Sequence, residues 1–514
     1  MLHMSKQISL IPYPRLLENK DGLFNFTSIV VHSEFSNSLN SQIIYQLKSK
    51  TNISCSFSTN CDEANLILHK ATSFNNKDLT AKESYYISVL EDKVNIYASC
   101  DNGSFYGVIS LIQLIMSYNN AIPCLNIYDM PKYSWRGFLL DTSRSFYTID
   151  FIKKVIDLCA FHKLNTLHWH LTDDQGWRFP VKDYPLLTEI GSKRMAARKP
   201  LALEGLNEEN AYRDRFYSEE EIKEVVKFAS DRYVNIVPEV ELPGHSSALL
   251  ACYPQFGCTG GPYQVEHRWG IFPDVLCAGN DKIFELYDSI FSSLNNLFPS
   301  KYIHIGGDEC RTTRWDKCPK CQARMKAEGL DNSRQLQTWV TAKMVALLKK
   351  YDKIAIGWDE VLDNTEKIPV PKDLIVQSWR GIEGGEKAAQ LNHKVIMSPQ
   401  TMCYLNLKPY DSFEEPGMLG FTTIKRAYNF SPITKGIKEE NAHNIIGGEC
   451  ALWTEELRSS RLAEYLIFPR LCAISECLWL SESDKNYDRF IDNLESHKNR
   501  LDILDVLYYK GPAK

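Results

Sequence analysis

Two hydrophobic rhythms divide the chain. From about Ile8 to Ile127, short apolar runs at 28–32, 64–69, 85–90 and 94–98 surround one helical stretch. The last two runs alternate apolar and polar positions on either side of Glu91-Asp92, which predicts a hairpin. After Gly103 and Gly107 an apolar run over 108–116 predicts a helix, and Asp129-Met130-Pro131 reads as a hinge. These elements predict a small α+β accessory domain over residues 1–130.

Beyond the hinge a different unit repeats, a short β-branched run followed by an amphipathic helix. Strands are predicted at 135–141, 164–171, 234–242, 302–309, 353–360, 374–381, 394–399 and 445–453, with helices at 149–162, 218–232, 282–297, 334–350 and 386–391. Ser218 with Glu221 three residues on is a capping box that fixes one helix start. A last helix over 462–478 closes the ring. Eight such units predict an α/β fold, a (β/α)8 TIM barrel over residues 131–514 with C-terminal helices, whose site gathers at the C-terminal strand ends.

Length and composition fit that division. A chain of 514 residues holds one accessory domain and one enlarged barrel, and 44% hydrophobic with 24% charged residues is ordinary for a folded protein. The net charge of −5 is too balanced to point to a phosphate backbone or an acidic membrane as the main partner, so no nucleic acid is expected. No run is apolar enough for a membrane span. The N-terminus, Met-Leu-His-Met-Ser-Lys, has no apolar signal core; export to a periplasmic, extracellular or other secretory compartment is expected, with the signal segment absent from this chain.

Fifteen Cys are many, and an odd number leaves at least one unpaired in a monomer. Cys310, Cys318 and Cys321 contain a C-x-x-C, but three thiols without an evident fourth ligand favour one disulfide or free thiols over zinc. Cys258 and Cys277 flank a Gly/Pro-rich loop that a disulfide would pin.

The strand ends carry the chemistry. His304-Ile305-Gly306-Gly307-Asp308-Glu309 places two adjacent acids at the fourth. Neighbouring strand residues point to opposite faces, so both acids reach one site only if Gly306-Gly307 breaks the strand. Trp358, Trp379 and Trp453, from three separate strand ends, describe an apolar box for a methyl group or a sugar face. Arg144, Asp173 and Glu455 are candidates for gripping hydroxyls. Carboxylates with indoles point to glycoside hydrolysis. His168-Trp169-His170 offers a rival metal-ligand reading, but the later strand ends carry indoles instead of further ligands, which leaves both histidines as hydrogen-bonded structural residues.

The motifs Trp135-Arg136-Gly137 through Asp141-Thr142-Ser143-Arg144, His168 through Arg178, Pro238-Glu239-Val240-Glu241-Leu242-Pro243-Gly244-His245, His304 to Glu309, Gly357-Trp358-Asp359-Glu360 and Leu452-Trp453-Thr454-Glu455 resemble glycoside hydrolase family 20, the β-N-acetylhexosaminidases. Ile11-Pro12-Tyr13-Pro14 and Gly103-Ser104-Phe105-Tyr106-Gly107 resemble that family's accessory domain. The resemblance implies an exo-acting, retaining enzyme that releases terminal β-linked N-acetylglucosamine or N-acetylgalactosamine from a glycan, without a cofactor or catalytic metal, by substrate-assisted catalysis. It implies Glu309 as acid and base, Asp308 and Tyr404 as guides of the substrate acetamide, and Trp358, Trp379 and Trp453 as its enclosure. It further implies Arg144, Glu455 and Asn406 as binders of ring hydroxyls, and Asp173, His245 and Glu241 as support, with a Glu241–His245 pair tuning Glu309.

Three positions depart from the family pattern: Glu241 where Asp is frequent, Glu449 where Gln is frequent, and Asn406 where Asp or Asn occurs. Glu449 puts a local hydrogen bond in question. Asn406, near the sugar 6-hydroxyl, removes a negative charge; a 6-sulfated N-acetylglucosamine becomes a candidate substrate, aided by Lys408. Two further alternatives are a disaccharide-releasing relative such as a lacto-N-biosidase, and a catalytically weak carbohydrate-binding protein on the same barrel.

Overall fold

The computed structural model describes residues 8–118, 120–194, 215–457 and 459–512. Its first part is a seven-stranded mixed sheet in the order Leu16–Asn25, Ala121–Asp129, Tyr85–Val89, Val94–Ala98, Leu66–Lys70, Ser28–Ser33, Ser54–Phe57. The hairpin across Glu91-Asp92 forms with Tyr86 opposite Tyr97 and Val89 opposite Val94. Two helices cover the sheet instead of the one expected. The helix Asn37–Thr51 escapes a sequence reading because its apolar stripe is thin, Leu39, Ile43 and Leu47 buried among polar neighbours. The second starts at Asp101, ahead of the apolar run, so Gly103 and Gly107 lie inside it. They sit one turn apart on the face against the sheet, where a Cβ on Gly103 would meet the Ser84 carbonyl oxygen at 2.2 Å.

All eight predicted barrel strands form, parallel and closed on themselves: β1 (Trp135–Asp141), β2 (Thr166–His170), β3 (Asn235–Glu239), β4 (Tyr302–His304), β5 (Ile354–Trp358), β6 (Ile375–Ser378), β7 (Val395–Met397) and β8 (Ile445–Leu452). β1 closes the ring against β8, Gly137 opposite Glu449. The strands are buried on both faces, as a barrel wrapped by helices requires. The first barrel helix, Ile149–Phe161, shows how the sequence places the wrapping. Thr148 caps it by accepting from Phe151 N–H, and Phe151, Ile152, Val155, Ile156 and Cys159 make its buried stripe. Each such fully buried apolar side chain contributes roughly 1.5–3 kcal/mol. The capping box is present, with Glu221 N–H donating to Ser218 Oγ at 3.1 Å and Ser218 N–H to Glu221 Oε2 at 2.8 Å.

The predicted closing helix is two helices, Ser460–Ile467 and Arg470–Trp479, because Pro469 between them supplies no N–H to continue the first. A further helix, Tyr487–Ile503, follows. It packs on the accessory helix Asp101–Tyr118, where Arg500 Nε donates to Gln113 O. The sheet also meets the N-terminal end of the barrel through charges. Arg136 binds Glu83 through two hydrogen bonds of 3.0 and 2.7 Å, and Lys163 reaches Asp129 at 3.1 Å under the Trp479 ring. The junction thus lies opposite the strand ends that carry the candidate chemistry. Among the described residues no helix is long and apolar enough to cross a membrane.

Candidate functional site

β4 stops at His304, five residues short of its predicted end. Gly306 and Gly307 take φ of +62° and +98°, and Glu309 itself takes +49°, a left-handed conformation rare for a side-chain-bearing residue. The break brings adjacent acids to one place: His245 Nε2 lies 3.5 Å from both Asp308 Oδ2 and Glu309 Oε2. Glycine suits Gly306, whose φ is left-handed and where a Cβ would fall 1.8 Å from Glu241 Oε2 and displace that carboxyl. Glu309 has the most exposed carboxylate of this group, whereas Asp308 Oδ1 is buried with no hydrogen-bond partner among the described residues.

His245 corrects one expectation. Its Nδ1 meets Asp174 Oδ2 at 3.0 Å and Asp173 Oδ1 at 3.1 Å, so its partners are these two acids and not Glu241. Burial disfavours its charge, but Asp173 and Asp308 outweigh burial and hold its pKa well above the ordinary value. Both carboxyl oxygens of Glu241 are without partners among the described residues, and burial together with Asp308 pushes its pKa well up. Asp174 was not singled out in the sequence, although it adjoins Asp173; it also accepts from the Ser247 hydroxyl at 2.6 Å.

Arg144 forms the polar wall. Its guanidinium contacts Asp173 Oδ2 at 2.6 Å, Asp141 Oδ2 at 3.2 Å and Gln175 Oε1 at 3.0 Å, and lies 3.9 Å from Glu455 Oε1. Glu455 Oε2 is buried and unpartnered among the described residues. Burial raises the Glu455 pKa against the opposing pull of Arg144.

Beneath this wall lies an ionic cluster whose centre, Glu239, sequence reasoning left without a role. Its carboxylate takes His304 Nδ1 at 2.7 Å, His168 Nε2 at 3.1 Å, His170 Nδ1 in a short contact and the Trp358 indole N–H at 2.9 Å. His168 and His170 are therefore bound to carboxylates. Burial opposes their charge, yet Glu239 with Glu449 raises His168 to about 9, and Glu239 with Asp173 raises His170 to about 10. The one sequence signal for Glu239 was an acid ending an otherwise apolar strand. The hydrogen bond placed in question at Glu449 is kept, since it accepts from His168 at 2.8 Å, Gln377 at 2.9 Å and the Trp135 indole at 3.1 Å.

The apolar box forms from β5, β6 and β8. Trp358 and Trp453 tilt against each other at 5.8 Å, Tyr404 meets Trp453 edge-on at 6.0 Å, and Trp379 lies parallel to Tyr404 at 6.2 Å. Tyr404 enters through its pairing beside Ala451 of β8. Burial first, then Asp308, raises its pKa and keeps the phenol protonated. Trp379 is held by Glu360, whose Oε2 accepts from the indole at 2.9 Å. Burial, Asp308 and Asp359 lift Glu360 to about 9, Arg380 opposing. Asn406 is buried nearby, its amide nitrogen 3.0 Å from Met418 Sδ and its oxygen unpartnered among the described residues. Lys408 is already committed, donating to Ser412 O at 3.0 Å, so the help expected from it at Asn406 has no support in this arrangement.

The cysteine expectations change as well. All fifteen are thiols, and the Cys258–Cys277 disulfide does not form. Cys310 stands apart near His245, while Cys318 and Cys321 meet Cys258 and Cys277 instead.

Comparison with known proteins places this geometry. The model of glycosyl hydrolase family 20, catalytic domain, matches residues 133–482, and that of the same family's domain 2 matches residues 7–130. A beta-hexosaminidase of Porphyromonas gingivalis is 34% identical over 98% of this chain and 64% of its own, so this chain spans just under two thirds of that relative. A beta-hexosaminidase of Akkermansia muciniphila is 32% identical over 81% of this chain and 83% of its own. The solved exo beta-N-acetylglucosaminidase of Vibrio harveyi, in complex with N-acetylglucosamine, superposes with a TM-score of 0.86 at 28% identity, covering 98% of this chain and 78% of that one.

Proposed function

Since the chain belongs to glycosyl hydrolase family 20, we propose that it is an exo-acting, retaining β-N-acetylhexosaminidase that removes terminal β-linked N-acetylglucosamine or N-acetylgalactosamine from glycans, with residues 131–514 as its catalytic domain. The observation that carries this reading is the break after β4, which turns Asp308 and Glu309 to a common side against His245. Neither acid is assigned as a nucleophile toward the sugar. The 2-acetamido oxygen of the substrate attacks its own anomeric carbon, the glycosidic bond breaks, and Glu309 gives its proton to the leaving oxygen. The resulting oxazolinium is opened by water from which Glu309 takes a proton, restoring the acid and the β configuration.

The other residues fit this scheme by their chemistry. Asp308 Oδ1, a buried acceptor without a partner among the described residues, suits the acetamide N–H. Tyr404, a protonated phenol, suits its carbonyl oxygen, and the three indoles suit its methyl. Holding the acetamide in line removes much of the entropic barrier. Arg144, Glu455 and Asn406 suit ring hydroxyls, while Asp173, Asp174 and His245 position the acids. The test is release of p-nitrophenol from β-N-acetylglucosaminide and β-N-acetylgalactosaminide by the wild type, and of an alkyl alcohol by Glu309→Gln. The variant is expected to lose about 10²–10⁴-fold on the alkyl substrate; intact turnover there refutes the acid assignment. A thiazoline analogue of the intermediate is expected to inhibit, and failure to inhibit refutes acetamide participation.

A further inference from the structure

We propose that Cys258, Cys277, Cys318 and Cys321 form a tetrathiolate site for one structural zinc ion, which ties the loop after β3 to the loop after β4. The four sulfurs lie within 4.8 Å of one another. Cys258–Cys321 is 3.8 Å, and Cys277 is 3.7 Å from both Cys318 and Cys321. A disulfide requires about 2.05 Å between sulfurs, so no pair here is bonded. A zinc ion with four thiolates at about 2.3 Å in tetrahedral array has sulfur–sulfur edges of about 3.8 Å. These three spacings match such edges, and the other three lie within the same 4.8 Å span.

Two separate pieces of backbone deliver the ligands. Gly257 and Leu276 pair antiparallel, and Cys277 N–H donates to Phe256 O at 2.7 Å, which sets Cys258 and Cys277 side by side across the intervening loop 259–276. Cys318 stands at the N-cap position of the helix Pro319–Glu328 and Cys321 lies in its first turn, where unpaired N–H groups favour thiolates. Gly279 lets the two pieces close: a Cβ there would meet the Lys320 carbonyl carbon at 2.2 Å and Cys321 N at 2.5 Å. Cys277, Cys318 and Cys321 are buried, and Cys258 is half-buried. The sequence offered only the local C-x-x-C; the other two ligands, Cys258 and Cys277, come from the other loop.

The site is distant in role from the sugar chemistry but continuous with its frame. Leu276 N–H donates to Pro243 O, in the turn between Glu241 and His245, and Leu276 O accepts from the Trp315 indole. Arg314 binds Asp274 through two hydrogen bonds beside the cluster. The tied loop lines a cleft of about 410 Å³ that includes Tyr263, Glu266, Arg268 and Asp274. Zinc binding takes a proton from each thiol that becomes a ligand and requires no redox partner.

Elemental analysis of the chain, purified by a tag without metal affinity from zinc-containing medium, tests the site. About one zinc per chain is expected, released to a chromogenic chelator when a mercurial blocks the thiols, and the Cys277→Ser/Cys321→Ser variant is expected below about a tenth of that. Should that variant fail to fold, wild type grown with cobalt is expected to show the charge-transfer bands of a Co²⁺ tetrathiolate. Zinc-free wild type with four free thiols or two disulfides overturns the proposal, as does equal zinc in wild type and a folded variant. These readouts need no turnover, so their failure leaves the glycosidase reading standing, and the reverse holds equally.

Discussion

Replacing Glu239 by Gln is the sharpest test of the electrostatic floor beneath the site. In the wild type one buried carboxylate faces His168, His170 and His304. Because the folded pKa values of His168 and His170 are raised, to about 9 and about 10 from an ordinary value of 6.5, their stabilisation is fully present below pH 6.5 and is lost as pH rises through 9 to 10. At about 1.4 kcal/mol per pH unit these values correspond to roughly 3 and 5 kcal/mol. Glu239 shares these shifts with Glu449 and Asp173, so only part of the sum is its own, and about 4 kcal/mol is the order of its joint effect. With an unfolding entropy of about 2.1 cal/mol/K per residue over a chain of this length, 1 kcal/mol moves Tm by about 1 °C. Scanning calorimetry at matched ionic strength from pH 6 to pH 10 is therefore expected to show the wild-type Tm falling about 4 °C further than that of Glu239→Gln. The variant starts lower at pH 6 and the two curves converge. Parallel curves would refute the assignment of the histidine charges to Glu239.

Other changes separate neighbouring roles. Glu360→Gln is expected to retain activity within about threefold, because the carboxyl is already held neutral up to about pH 9 and an amide oxygen can still accept from Trp379, whereas Glu360→Ala frees the indole and is expected to lose about tenfold or more in kcat/KM. Equal losses in the two would sink that reasoning. Asn406→Asp is expected to lower the kcat/KM ratio of 6-sulfated to plain aryl N-acetylglucosaminide about tenfold or more, through charge repulsion in a buried setting; an unchanged ratio removes the case for sulfate tolerance. Asp174→Asn is expected to lower kcat with little change in KM, since Asp174 acts through His245 and not on the sugar, and a selective rise in KM would reassign it.

Much of the barrel was legible because its strands are short β-branched runs buried on both faces, and helices of familiar period separate them. The broken end of β4 was legible too, from Gly306-Gly307 beside two acids that one site could not otherwise use. What escaped depends on contacts between distant strands. Glu239 reads as one more acid until β2 and β4 bring three histidines to it, and Asp174 reads as a duplicate of Asp173 until His245 arrives from the next loop. The pairing of Cys258 and Cys277 with Cys318 and Cys321 crosses two loops and leaves no local period. The helix Asn37–Thr51 was missed for the opposite reason, a pattern too polar to announce its buried stripe.

The seam between the sheet and the barrel has a consequence for how the molecule can be divided. Arg136 and Lys163 are fully buried cations whose partners are Glu83, in the turn before the strand Tyr85–Val89, and Asp129, at the end of the strand Ala121–Asp129, and helix Asp101–Tyr118 is covered over most of its length. Cutting the chain near residue 130 would strand two charges and an apolar surface at the foot of the barrel, a penalty of several kcal/mol for each uncompensated ion. The barrel is therefore not a portable module: a version trimmed at the hinge is expected to be less stable than the whole chain and to expose the apolar foot of the barrel. Any shuffling of this architecture must carry the sheet along as the cover of the barrel's foot.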